Sequence, residues 1–285
     1  MAETGARVKV LFPEELEEYI RTHKEGSYLL LDVRQPEEYE ESHLPGSKLV
    51  PLPALTEALP GLDRVKDTIV YCSVGGRSLT AAKFLATRGF SHIFQLEGGI
   101  QAWENETAQN PAELHLEFVR GDETPVEAAG IAYRMETGLE QFHRTTFERT
   151  DDPELKALLE KLIMAEASHR DRLVKLLKDL GSDLGSVAGI DGPSQENMIE
   201  GGLDIKEFLA GNEYYLQSVS GCLGLAMIIE THALDLYLRM ADTCTDPGTK
   251  DVFFSLGEEE KSHLNALGGL LGEKTGSRKS DDPRA

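Results

Sequence analysis

Two stretches of the chain, EKLIMAEASH at 160–169 and FSLGEEEKSH at 254–263, each end in Glu-x-x-His. On a helix that spacing sets a carboxylate and an imidazole on one face, a turn apart, where both can reach one metal ion. The motif alone is weak in so acidic a chain. Of the eight histidines, His43 and His143 also carry a glutamate three places earlier, Glu40 and Glu140. A solvated helix face is the ordinary explanation of any single instance. The distance between the two stretches sets them apart: Glu260 follows Glu166 by 94 residues (260 − 166 = 94). Sliding the chain by that offset aligns 131–173 with 225–267 without a gap. Ala132 falls on Ala226, Glu136 on Glu230, Thr137 on Thr231, Asp152-Pro153 on Asp246-Pro247, and Leu162 on Leu256. This is an internal repeat, and each copy holds a lone glutamate followed 30 residues later by Glu-x-x-His.

The neighbours of these residues direct them inward. Glu136 has Ala132, Met135 and Leu139 on its helical face; Glu230 has Ala226, Met227, Ala233, Leu234 and Tyr237. Glu166 sits above Leu162 and Ile163, and Glu260 above Leu256 with Leu264 and Leu267 following. Four carboxylates turned into an apolar core repel one another and lose their hydration, which two divalent or trivalent cations would offset. One glutamate from each of two helices with a Glu-x-x-His from each of the other two is the ligand set of dinuclear carboxylate bundles. The candidate ligands are therefore Glu136, Glu166, His169, Glu230, Glu260 and His263. Oxygen-rich donors, one imidazole per metal and no thiolate favour two non-haem iron ions, with manganese as the substitute, over structural zinc.

A second reactive position is Cys72. It ends the apolar run TIVYC and is followed by Ser73, Val74, Gly75, Gly76 and Arg77, with a helix expected from about Ser78. Gly75 and Gly76 let the backbone turn its N–H groups inward, and the helix start adds partial positive charge, so the loop can cradle an anion at the sulfur. Such a setting favours a nucleophilic thiolate. The alternative is a small buried residue at a strand end. Cys222 and Cys244 lack the setting and are read as packing residues.

The elements that must hold these groups differ in texture along the chain. Up to about Trp103, short β-rich runs (YLLLDV, TIVYC, HIFQL) alternate with helical ones, which predicts an α/β domain with a mainly parallel sheet over 1–104. Residues 105–125 read as a linker, with some structure possible around LHLEFV. From Val126 to about residue 271 the pattern is helical, with helices expected near 126–149, 153–180, 216–243 and 248–271. Asp-Pro before the second and fourth marks helix starts. Two helical hairpins joined by a long crossover predict an all-α, ferritin-like four-helix bundle. The tail 272–285 reads as disordered.

Composition narrows the function classes. A formal net charge of −21 over 285 residues disfavours nucleic acid and anionic membrane as partners. The N-terminus shows no leader pattern, and VSGCLGLAMII is too short to span a bilayer before Glu230 interrupts it, so the expected setting is the cytoplasm. Three cysteines without a Cys-x-x-Cys pair give no thiolate metal centre.

Both halves resemble known families. IAYRMETGLEQFH, MAEASHRDRL, LAMIIETHALDLYL and GEEEKSHLNAL resemble the rubrerythrin-like branch of the ferritin-like superfamily over about 126–271. That resemblance implies the six ligands above. It also implies that His143 and Tyr237, seven residues after each lone glutamate, stand behind the ligands and hydrogen-bond to a ligand or a bound oxygen species. A polar tip at the core edge is the plainer reading of both. The chain departs from rubrerythrins in having Ala233 where they have a further glutamate and in lacking the rubredoxin-like four-cysteine centre, so electrons are expected from an external donor. LLLDVRQPEEYEESHLPGSKLVPL, CSVGGRS and LEGGIQAW resemble a single rhodanese domain over 8–104. By that resemblance Cys72 accepts a sulfane sulfur from thiosulfate, polysulfide or a protein persulfide, with Arg77 attracting the anionic donor. Asp32, Arg34 and His43 are expected to brace the loop.

Three functions compete. The first is a Cys72 sulfurtransferase fused to a di-iron oxidoreductase that reduces peroxide in oxidative-stress defence, as a homodimer. The second is ferritin-like iron oxidation and storage, and the third a sulfurtransferase with a metal-stabilised dimerisation module. Carboxylates in the core disfavour the third, since apolar residues would make a purely structural module more stable.

Overall fold

The computed structural model describes residues 7–105, 107–109, 124–183, 185, 198–199 and 203–275. The crossover is described only in part, and the readings of structure around LHLEFV and of a disordered tail fall mostly on residues outside these. The described residues divide into two compact units. One contains the sheet and takes in Leu234–Thr245 and Lys250–Glu258; the other is helical and contains all six candidate metal ligands.

The sheet has five strands, β1 (Lys9–Leu11), β2 (Tyr28–Asp32), β3 (Lys48–Leu49), β4 (Asp67–Tyr71) and β5 (Ile93–Leu96), in the order β1-β5-β4-β2-β3 with every pairing parallel. Helices α1 (Pro13–Thr22), α2 (Pro36–Glu41), α3 (Leu55–Ala58) and α4 (Gly76–Ala86) connect them. Parallel strands need such crossovers, and covering both faces gives strands that are apolar on both sides. Side chains alternate across β4. Ile69 and Tyr71 pack with Leu16, Leu30 and Leu96 on one face. Val70 and Cys72 pack with Ala81, Leu85 and Ile93 on the other. The alternation thus turns Cys72 toward α4.

The helical part has four long helices, α5 (Pro125–Arg149), α6 (Pro153–Asp179), α8 (Val219–Thr243) and α9 (Pro247–Thr275), with a short α7 (Ile205–Gly211) and a two-stranded antiparallel ladder of β6 (Met198–Ile199) and β7 (Leu203–Asp204) in the crossover. This is the four-helix bundle the repeat implies. Its starts follow the sequence signals: Asp152 caps α6 by accepting from the N–H groups of Glu154 and Leu155, and Asp246 accepts from Thr249 N–H before α9. Helix α5 begins with Thr124, which accepts from Glu127 N–H while the Glu127 carboxylate accepts from Thr124 N–H. The expected start of α8 at 216 moves to Val219, because Tyr215–Gln217 forms a separate 3-10 turn. By length and composition α8 could cross a membrane, yet most of its apolar stretch is buried within the protein, as in a core helix.

Candidate functional site

The Cys72 loop is built from carbonyls held back and amides turned toward the sulfur. The Cys72 carbonyl accepts from Ile100 N–H at 2.8 Å and the Ser73 carbonyl from Gln101 N–H at 3.1 Å. Gly99, with φ of +62°, makes this approach possible; a Cβ there would lie 2.2 Å from the Cys72 oxygen. With the carbonyls tied down, the Gly75 N–H donates to Cys72 Sγ at 3.1 Å, and Ser78 Oγ lies 3.5 Å from the same sulfur. Gly75 carries φ of +105° as expected of the turn. Gly76 does not share that role: it is the first residue of α4, and nothing lies within 4 Å of where its Cβ would be. Burial opposes the thiolate, but hydrogen bonds from Ser78, Gly75 and Val74 outweigh it and hold the Cys72 thiol below its ordinary pKa. Cys222 shows the opposite balance, burial pushing its thiol up. Cys72 should therefore alkylate with iodoacetamide at a lower pH midpoint than Cys222. Peptide mapping after alkylation at graded pH measures this, and a Cys222 midpoint at or below that of Cys72 would contradict it.

Arg77 is not a lone cation at the loop. Its two terminal nitrogens donate to Glu38 Oε2 and Oε1, each at 2.6 Å, and one also donates to Ser73 Oγ at 2.8 Å. The Arg77 guanidinium in turn lowers the Glu38 carboxyl to about 2. Glu38 is thus a residue of the site that sequence reading missed; it lies in the PEEYEE helix, distant along the chain. Behind the loop, Arg34 donates to both Asp32 oxygens and to the Ser42 carbonyl, and its guanidinium lies 5.6 Å over the Tyr71 ring. His43 stacks on Tyr39, its Nδ1 is 2.8 Å from the Tyr39 carbonyl, and Asp235 accepts from Gly46 N–H at 2.7 Å.

In the helical unit the repeat-related residues converge. Glu136, Glu166, His169, Glu230 and Glu260 are all 0 % exposed. His169 Nδ1 stands 3.0 Å from Glu166, 3.1 Å from Glu136 and 3.5 Å from Glu260. His263 Nδ1 stands 3.0 Å from Glu260, 3.3 Å from Glu230 and 3.7 Å from Glu166. The donors form two groups, one of Glu136, Glu166, His169 and Glu260 and one of Glu166, Glu230, Glu260 and His263, with Glu166 and Glu260 common to both. Within each group one ligand atom per residue lies within 4.8 Å of the others. Among the described residues, both Glu166 oxygens, Glu230 Oε1 and Glu260 Oε1 are buried without an aligned hydrogen bond. Burial and the neighbouring carboxylates drive Glu166 and Glu260 well above the usual carboxylate range. Buried oxygens left unsatisfied at such cost fit a cation pair, so the residues present suit two metal ions.

Two further residues mark one half of this cluster. Glu259 Oε2 lies 2.9 Å from His169 Nε2, and its other oxygen pairs with Arg172. A carboxylate behind a ligand imidazole fixes which ring nitrogen faces the metal. The repeat mates of Glu259 and Arg172 are Ala165 and Ala266, so His263 has no counterpart to this pair from those positions. That mismatch was the available sequence signal. His143 is also 0 % exposed, with its Nε2 2.9 Å from Glu230 Oε1. Its repeat mate Tyr237 is 0 % exposed and stacks on Phe253.

Comparison with known proteins bears on the sheet domain. The family model for the rhodanese-like domain matches residues 13–106. Over 78 residues the chain is 44 % identical to Rhodanese-like/PpiC domain-containing protein 12, chloroplastic, of Arabidopsis thaliana, and it spans only 26 % of that protein's length and 26 % of its own. It is 33 % identical over 94 residues to the thiosulfate sulfurtransferase GlpE of Pseudomonas fluorescens (strain Pf0-1), covering 32 % of this chain and 86 % of that one. The crystal structure of a rhodanese-related protein from Thermoplasma volcanium is similar at 31 % identity and a TM-score of 0.32, over 35 % of this chain and 97 % of that one. With the cysteine loop closing on a helix start and a relative of the same domain size matched along most of its length, the chain belongs to the rhodanese family through residues 13–106.

Proposed function

We propose that the chain is a sulfurtransferase working through a Cys72 persulfide, joined to a dinuclear iron oxidoreductase that reduces peroxide. The observation that carries the first part is the Cys72 sulfur lying at a loop whose amides face it and whose carbonyls are tied away. The Cys72 thiolate attacks the sulfane sulfur of thiosulfate, the sulfur–sulfur bond of the donor breaks, and sulfite leaves with the electron pair. The outer sulfur then stays on Cys72 as a persulfide anion, for which the Gly75 amide is a ready donor. A nucleophile such as cyanide or an acceptor thiol takes that sulfur and returns the thiolate. Arg77 draws in the dianionic donor, and Glu38 fixes its direction while tempering its charge. The matched GlpE is a thiosulfate sulfurtransferase by name, which supports thiosulfate as the first donor to try.

The observation behind the second part is the set of unpartnered carboxylate oxygens at the shared glutamates. Glu136, Glu166, His169, Glu230, Glu260 and His263 would hold two iron ions, or manganese in their place. Such a pair supplies the two electrons that reduce peroxide to water. The protein's part is to neutralise charge with four carboxylates and to keep the donors in a dry core. Three cysteines are too few for a four-cysteine relay within this chain, so electrons would come from a separate carrier. Anaerobic peroxide titration of the pre-reduced protein should consume about one equivalent per chain and stop. A reduced carrier should restore turnover. Consumption that continues with thiosulfate alone, and is lost in Cys72→Ser, would show that the two sites form one redox pathway and overturn their separation.

A further inference from the structure

We propose that His143 is itself a metal ligand, at the cation position held by Glu230 and His263, so that the two positions of the site are chemically unequal; this rests on the metal-site reading above. His143 is 0 % exposed, and among the described residues neither of its ring nitrogens makes an aligned hydrogen bond, although Nε2 pairs with Glu230. Leaving an imidazole buried in this state is costly unless something else engages its lone pair. Its Nε2 lies 2.9 Å from Glu230 Oε1 and 3.7 Å from Glu166 Oε1, two carboxylate oxygens that likewise make no aligned hydrogen bond among the described residues. A nitrogen and an oxygen this close that are not aligned as donor and acceptor have the relation of two ligands of one cation. Two donors each about 2.1 Å from a cation and about 90° apart stand about 3 Å from one another.

The arrangement around Glu230 extends the argument. Its carboxylate lies between two imidazoles, with Oε1 near His143 Nε2 and Oε2 3.3 Å from His263 Nδ1. A cation at this position therefore meets two nitrogens, Glu230 and the shared Glu166 and Glu260. The position of Glu136 and His169 meets one nitrogen, and there Glu259 backs His169 from the far side. A neutral imidazole adds a donor without adding charge, so four carboxylates still balance two divalent cations. The repeat places Tyr237 where His143 stands in the first copy, and a phenol, ionising near pH 10, is a poor ligand at neutral pH. The expected consequence is stepwise filling, with divalent metals of high affinity for nitrogen entering the His143 position first.

Nitrogen-15-labelled protein, stripped with chelator and refilled with two equivalents of cadmium-113, tests this directly. One-bond cadmium–nitrogen splitting is expected on three imidazoles, those of His143, His169 and His263. Splitting on His169 and His263 alone would overturn the proposal and leave the metal site standing, whereas splitting on none would overturn both. In calorimetric titration, His143→Gln keeps a hydrogen-bonding amide near Glu230 but is a much weaker ligand. It should weaken one cadmium equivalent by at least about tenfold while leaving the other unchanged. Two affinities both equal to those of the unsubstituted protein would also overturn it.

Discussion

Cys72→Ser should lower thiosulfate-to-cyanide sulfur transfer at least about a thousandfold and leave metal content unaltered. The size of the effect follows from what the loop does. It is arranged to hold a sulfur anion, with the Gly75 N–H 3.1 Å from Sγ and Ser78 Oγ beside it. A serine hydroxyl occupies the same place but stays protonated at neutral pH and cannot carry a persulfide, so every later step loses its carrier. Loss of the nucleophile from a preorganised site typically costs about 10³ or more in turnover. The substitution is small and lies in the core cluster of the sheet domain with Val70, Ala81 and Leu85, so the fold should hold. The measurement is thiocyanate formation beside metal analysis on one preparation. Transfer retained within tenfold of the unsubstituted protein would remove Cys72 from its role, and a parallel loss of metal would show that the substitution acts through the fold.

Chemistry that sits in local patterns was legible in the sequence; chemistry that depends on pairing across the chain was not. The six candidate metal donors are visible because a 94-residue repeat writes them twice, and Asp-Pro marks two of the helix starts. The Cys72 loop is visible because strand, glycine turn and helix start are contiguous. Glu38 was hidden, although it engages Arg77 through both oxygens, because nothing local to PEEYEE indicates that it meets a loop 39 residues on. The role of Gly99 in LEGGIQAW was hidden likewise, because it depends on the approach of the Cys72 carbonyl, a contact between the loop after β4 and the turn after β5. The strand order, with β4 between β2 and β5, likewise follows from packing that single strands do not reveal. Gly76 is the converse case, a glycine read as part of the turn that takes an ordinary helical place.

Stripping metal from the protein should lower the unfolding midpoint of the helical part by roughly 10–30 °C. Glu136, Glu166, Glu230 and Glu260 are wholly buried and close enough to repel, and Glu166 and Glu260 are already forced toward the protonated form. Binding of metal to the folded state alone stabilises it by about 2.7 kcal/mol per site at a hundredfold excess over Kd and about 4.1 at a thousandfold. Two sites give roughly 5–8 kcal/mol, which at about 2–4 °C per kcal/mol for a domain of this size yields the quoted range. Scanning calorimetry with and without chelator measures it, with sulfur transfer after brief chelation reporting that the sheet domain is intact. Glu230→Gln sharpens the test because it keeps the shape and a hydrogen-bonding amide while removing one negative charge. If Glu230 is a ligand, the rise in midpoint that metal produces should shrink in the variant relative to the unsubstituted protein, with the metal-free midpoints as the baseline for each. A carboxylate serving only to tie helices together would behave in the opposite way: Glu230→Gln would lower the midpoint equally with and without metal, and the chelator would change neither protein.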